Sequence, residues 1–175
     1  MAAPPGQLKR TAFAQSRPVN CAGKRARRCL CGRMLYETML VWQTDPSPRE
    51  HELRAAFADV WCAIPKVVFS RTLDSVLGNA RLTEASVAVE IAAALDATDK
   101  AISIGGAGLA AQAIELGLVD ELRMFRYPVV VGGGTPFLPP VTEDIALDLI
   151  ETRTFGSRVI YERYARARRA RSPAP

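Results

Sequence analysis

Nowhere in the sequence do apolar residues run on for the eighteen or so positions that a membrane helix needs. Basic residues near the start (Lys9, Arg10 and Arg17) are not followed by an apolar stretch, which excludes a secretory signal of the usual kind. Histidine is almost absent, with His51 alone, and cysteine is sparse: Cys21, Cys29 and Cys31 lie close together and Cys62 stands apart. A Cys-x-Cys step with one distant partner and one histidine makes a poor zinc set. No metal site is expected, and reduced thiols in a cytoplasmic protein are the better account. No internal repeat is present, and 175 residues suffice for one well-buried core but not for two ordinary domains.

Acidic residues are missing from both ends. Residues 1–28 hold seven Lys or Arg and residues 165–175 hold four Arg, so the stretch between carries 12 basic against 18 acidic residues. The net charge of +5 is therefore a property of the ends, and the middle is acidic. These ends are rich in Pro, Gly, Ala and Ser and lack apolar periodicity, which reads as a basic, flexible or atypical N-terminal segment over 1–28 and a basic tail over 165–175. Arginine-rich ends can contact nucleic acid, but a solvated extension is the expectation. One domain over 29–164 remains.

Within that domain the pattern alternates between strand and helix. A short apolar step over 28–31 ends at Gly32, and the following stretch places Leu35, Met39 and Trp42 on one helical face. The prolines of Thr44-Asp-Pro-Ser-Pro48 stop that helix. A second helix is predicted over 49–61 from Leu53, Phe57, Val60 and Trp61, then a β-branched strand over 66–70. Thr83 is placed as the cap of a helix over 84–95. Residues 101–104 form a strand that breaks at Gly105-Gly-Ala-Gly108 and passes into a helix over 109–116. A strand, a glycine turn and a helix together expose backbone N–H groups at a helix N-terminus, where a phosphate can approach; glycines that merely permit a tight turn would look the same. The six-residue dinucleotide fingerprint is absent. A strand over 122–127 continues past Pro128 towards 130 before Gly132-Gly-Gly134, and period-two alternation over 145–153 and 158–164 describes an antiparallel hairpin. The class is α/β, with a mostly parallel sheet and an antiparallel end.

Four phrases, in this order, resemble the dihydrofolate reductase-like superfamily, and in particular the C-terminal reductase domain of the bifunctional riboflavin-biosynthesis deaminase–reductase. They are Cys31-Gly-Arg-Met-Leu-Tyr-Glu37, Val68-Phe-Ser-Arg-Thr-Leu73, Ile102-Ser-Ile-Gly-Gly-Ala-Gly-Leu109, and Asp120-Glu-Leu-Arg followed by Tyr127-Pro-Val-Val-Val-Gly-Gly-Gly-Thr-Pro136. The resemblance implies a three-layer fold with helices on both faces of the sheet. It also implies NADPH as cofactor and reduction of a small heterocyclic substrate, a pterin or a pyrimidine such as 5-amino-6-(5-phosphoribosylamino)uracil. By the same resemblance Gly32 and Arg33 contact cofactor phosphates, and Ser70 and Arg71 meet the 2′-phosphate. Gly105, Gly106, Ala107, Gly108 and Leu109 hold the pyrophosphate, and Gly132, Gly133 and Gly134 border the substrate cleft. An arginine suits the 2′-phosphate because its fork can make two charge-assisted bonds. No catalytic side chain is named; Tyr36 and Glu37 are the polar residues nearest a matched phrase. Family members also begin with a strand and a Ser-Leu-Asp-Gly-like phrase, and residues 1–28 show neither. The alternative reading is therefore a truncated, inactive remnant or binding domain of the same family. Neither membrane nor nucleic acid is expected as a partner, and a homodimer is left open.

Overall fold

The computed structural model describes residues 13–16, 28–98, 101–130, 132–156 and 158–167. Its centre is a run of four short strands with few polar side chains: β2 (Arg28–Gly32), β3 (Lys66–Phe69), β4 (Ala80–Thr83) and β5 (Ile102–Gly105). They are parallel and lie in the order β4-β3-β2-β5. Side chains alternate across such a strand, so Leu30 faces one core while Cys29 and Cys31 face the other. Both faces are covered, which is why β2, β3 and β5 read as apolar runs.

The first core holds Leu30, Val67, Ile102 and Ile104 against α4 (Val87–Asp96) and α5 (Ala107–Glu115). The second holds Cys29, Cys31 and Val68 against Tyr36 and Met39 of α1 (Arg33–Met39) and Trp61 of α3 (Glu52–Ala63). Helices on both faces of one sheet give the expected three layers. The sheet continues beyond β5 through β1 (Phe13–Ser16), β6 (Glu121–Arg126), β8 (Ile160–Arg166) and β7 (Leu147–Thr154). β6, β8 and β7 form the antiparallel end. Pairing directions leave six of the eight strands pointing one way, with β1 and β8 reversed.

Several expectations are corrected. Residues 1–28, read as holding no strand, contain one: β1 sits between β5 and β6, antiparallel to both. Four residues are too few for a periodicity to show, so only pairing on both sides makes it a strand. The helix expected over 33–42 is interrupted at Leu40, whose N–H bonds back three residues to Glu37 O at 3.3 Å and tightens the turn before α2 (Val41–Thr44). The helix expected from residue 49 begins at Glu52, because His51 is extended at φ −124°, ψ 126°; a 3-10 turn, Ser47–Glu50, precedes it. Thr83 does not cap a helix. It ends β4, and Ser86 caps α4 by accepting the Val89 N–H at 3.3 Å. β6 stops at Arg126 rather than passing Pro128, where the Val129 N–H bonds Tyr127 O at 2.8 Å and turns the chain. β8 runs on to Arg166, two residues into the stretch read as a tail.

Candidate functional site

Chain reversals on the two sides of β2 create the site. From β2 the chain passes through α1 to α3 on one face and reaches β3; it returns through α4 on the other face and reaches β5. Between β2 and β5 the connections therefore diverge, and the crevice beyond the carboxyl ends of those strands is where open α/β sheets take ligands. Register brings the residues there together. Cys31 pairs with Gly105 and Gly32 with Phe69, so Gly32, Gly106 and Ser70 each lie at, or one step past, the end of a neighbouring strand.

Two glycine turns meet at that point. A β-carbon on Gly106 would stand 3.6 Å from Gly32 N and 3.8 Å from Leu35 Cβ, so the start of α1 and the start of α5 are in contact. Gly106 has φ +93°, ψ 123°, a conformation open to glycine but costly for other residues. It occupies the N-cap of α5 and offers no side chain to the first turn. The N–H groups of Ala107, Gly108 and Leu109 precede the first intrahelical bond, Ala110 N–H to Gly106 O at 2.9 Å, and so point outward without helical partners. Around Gly32 and Gly108 a β-carbon would meet nothing within 4 Å, so space lies in front of both. Backbone donors, a positive helix end and open room are what a pyrophosphate requires. The residues present therefore fit a pyrophosphate group.

The flanking side chains divide into those that face solvent and those that hold the site. Arg33 is exposed and pairs with Glu37 one turn along α1 at 3.8 Å, which accounts for Glu37. Ser70 Oγ accepts the N–H groups of Thr72 and Leu73 at 3.1 and 3.0 Å, so its oxygen builds the turn that presents Arg71. Arg71 is exposed and has no ion-pair partner among the described residues. Tyr36 is buried, and its hydroxyl accepts the Leu77 N–H at 2.6 Å. Leu109 turns its side chain into the core, leaving only its N–H to a ligand. Gly105 is buried in β5.

Gly132, Gly133 and Gly134 lie elsewhere. They are exposed on the loop that leaves β6, with φ +67° at Gly133 and +98° at Gly134, and a β-carbon on any of them would meet nothing within 4 Å. Through β1, Arg123 of β6 stands level with Gly105. That loop therefore departs from the same edge of the sheet as the glycine turns, two strands away. Cys29 and Cys31 are free and buried, and Cys62 is free and half-buried; Cys21 lies outside the described residues. Hydrogen bonding to Cys29 and burial both push the Cys31 thiol up, so it stays protonated in the core.

Two charge clusters escaped the sequence reading. Glu90 of α4, only 5% exposed, accepts bonds from Arg81 at 2.9 and 2.5 Å and from Thr83 at 2.6 Å. The Arg81 guanidinium holds its carboxyl below the usual range against burial, with help from Thr83. Glu121, also 5% exposed, takes Arg123 at 2.6 Å and both arms of Arg163 at 2.8 Å. Burial pushes this carboxyl up, and the two arginines outweigh burial and bring it below the usual range. Arg81 and Thr83 reach Glu90 from β4 and Arg163 reaches Glu121 from β8, so only the Glu121–Arg123 pair, two residues apart on β6, has a local signal.

A family model described as the RibD C-terminal domain matches residues 14–161. The chain belongs to this family. Its match opens inside β1. Among curated proteins this RibD C-terminal domain is similar to the uncharacterized protein YyaP of Bacillus subtilis (strain 168), 38% identical over 96 residues, which is 54% of this chain and 51% of that protein. The chain thus matches about half the length of that relative. Among solved structures, a protein from Shewanella sp. PV-4 named for riboflavin biosynthesis superimposes with a TM-score of 0.66 at 18% identity, over 87% of this chain and 82% of that one. Dihydrofolate reductase from Enterococcus faecalis, complexed with NADP(H), does so with a TM-score of 0.50 at 16% identity, over 82% and 76%. At such identities these two speak for the dihydrofolate reductase-like fold. Membership in the RibD C-terminal domain family supports a reductase-type function.

Proposed function

We propose that this RibD C-terminal domain is an NADPH-dependent reductase of a small heterocyclic substrate, a pterin or a pyrimidine of the kind reduced in riboflavin biosynthesis. The observation that carries the reading is the approach of the Gly32 and Gly106 turns, with the uncapped N–H groups of α5 facing open space and Arg71, without an ion-pair partner among the described residues, one strand away. When bound, the cofactor supplies a hydride to an electron-poor carbon of the substrate, and the protein contributes position and electrostatics. The first turn of α5 holds the pyrophosphate charge, Arg33 adds a cation beside it, and Arg71 meets the 2′-phosphate. Gly132 to Gly134, at the same edge, border the substrate. The alternative is a truncated, catalytically inactive remnant or binding domain of the same family, since residues 1–28 carry no Ser-Leu-Asp-Gly-like phrase.

The test is titration of the protein with NADPH and NADH, followed by Arg71→Ala. Each charge-assisted bond to the 2′-phosphate contributes about 1.5–3 kcal/mol, so the variant should bind NADPH at least tenfold more weakly and NADH nearly as before. Equal weakening of both would remove Arg71 from the 2′-phosphate. NADPH consumption with pterin or pyrimidine substrates then separates an active reductase from a binding domain.

A further inference from the structure

The connection that carries Arg71 is unusual for its place. β3 and β4 are adjacent and parallel, and such strands are normally joined by a dozen or more residues that include a helix. Here residues 70–79 cross over with no helix or strand of their own. A segment without a hydrogen-bond ladder keeps its shape only through anchors. Ser70 forms the first turn, and Leu73 and Val76 pack on the core beneath α1 and α3. At the far end Asn79 Nδ2 donates to Ala63 O at 2.9 Å. Gly78, at φ +68°, lies so close to Gln43 Oε1 that a β-carbon there would collide with it. Asn79 O also accepts the Lys66 N–H at 2.9 Å, and a further anchor is Tyr36. Its ring is 2% exposed in the second core, and its hydroxyl accepts the Leu77 N–H at 2.6 Å and lies 3.4 Å from Leu77 O.

Tyr36 belongs to α1, the helix whose first turn opens at Gly32 beside Gly106. One buried side chain therefore connects the body that carries the glycine turns to the loop that carries Arg71. We propose that Tyr36 is a positioning residue, which locks the Arg71 loop in register with the Gly32 turn and so sets the preference for NADPH over NADH. This inference rests on the proposed cofactor. Arg71 is exposed and has no ion-pair partner among the described residues, so nothing but the loop's backbone fixes where its guanidinium stands. Small displacements of a group that must meet a phosphate with two parallel bonds cost most of their strength. NADH carries no 2′-phosphate and does not register such a displacement.

The experiment uses Tyr36→Phe, which keeps the ring in the core and removes only the hydroxyl. Hydrogen exchange over residues 70–79 and the dissociation constants of NADPH and NADH are measured for the wild-type chain, Tyr36→Phe, Arg71→Ala and the double variant. Loss of one such bond should raise the NADPH constant about fivefold and leave NADH within about twofold, while exchange in the loop accelerates. In the double variant Tyr36→Phe should add almost nothing to Arg71→Ala, because the two act through one contact. A purely structural tyrosine would instead weaken both nucleotides alike, or add its full penalty to the double variant; either result overturns the proposal. Wild-type binding with an unmoved NADPH-to-NADH ratio overturns this role alone, whereas no NADPH binding by the wild-type chain overturns the functional reading and this role with it. Leu77→Pro, which removes the N–H from the loop side, is the second variant should Tyr36→Phe fail to fold, and it should show the same selective shift.

Discussion

Gly106 and Gly108 are two residues apart in one turn, yet a methyl group means opposite things at the two positions. Gly106 sits at φ +93°, and its cost to any other residue is backbone strain of about 1–3 kcal/mol. Gly106→Val is therefore expected to lower the melting temperature and the affinity for NADPH and NADH together. Gly108 lies inside α5 with nothing near its absent β-carbon. In a helix, Gly→Ala stabilises by roughly 0.5–1 kcal/mol, so Gly108→Ala should raise the melting temperature. The added methyl would also stand in the space assigned to the pyrophosphate, and affinity for both nucleotides should fall. A Gly108→Ala protein that is more stable and still binds NADPH at full strength would mean that the glycines serve only the turn. From the sequence alone these two roles were indistinguishable, because φ and the open volume in front of a glycine leave no trace in residue identity. Ser70 is a similar case: the motif was legible, but only the geometry shows its oxygen spent on the Thr72 and Leu73 N–H groups.

At the scale of elements, the helices show how local signals were misplaced by a few residues. Thr83 and Ser86 are both suitable caps three residues apart, and propensity cannot choose between them. Tertiary pairing does: residues 80–83 add to the parallel sheet beside β3, and the Thr83 hydroxyl donates to Glu90 and accepts the Ala85 N–H instead of capping α4. Ser86→Ala should then destabilise the protein by about 1 kcal/mol, and Thr83→Ala should act instead by weakening the hold on Glu90. Urea unfolding of both variants separates these effects, because in Arg81→Ala, where Glu90 has already lost its main partner, the Thr83 penalty should change and the Ser86 penalty should not. β1 was illegible for a related reason. Its four residues have no period of their own, and they become a strand by hydrogen-bonding to β5 and β6, which lie about ninety residues or more along the chain.

Across the whole molecule, Glu90 and Glu121 make stability depend on pH in a calculable direction. Both are held below the usual carboxylate range in the folded chain, Glu90 first by Arg81 and Glu121 by Arg163 and Arg123 against burial. A carboxylate that is more acidic when folded stabilises the fold above its unfolded value, about 4.3 for glutamate, and loses that contribution as pH falls through the folded value. Urea midpoints should therefore hold from neutral pH to about pH 5 and drop below about pH 4. Glu121→Gln should cost roughly 2 kcal/mol at neutral pH, because Arg123 and Arg163 lose their partner, and should flatten part of the acid drop. An unchanged acid slope in that variant would show that the cluster contributes no proton linkage.

What the residues determined by themselves is the class of the molecule. Apolar runs too short for a membrane, glycines at the ends of strands and four ordered phrases lead to an α/β reductase-like domain, since strand period, helix period and turn chemistry are local properties written in neighbouring side chains. What only the tertiary structure decided is everything that depends on partners distant in sequence. It placed β1 in the interior of the sheet, brought Gly32 and Gly106 into contact across the β2–β5 crevice, paired Glu121 with Arg163, and tied Tyr36 to Leu77. Each of these joins residues whose meeting is set by strand order and helix packing, and neither is encoded in any short stretch of the chain.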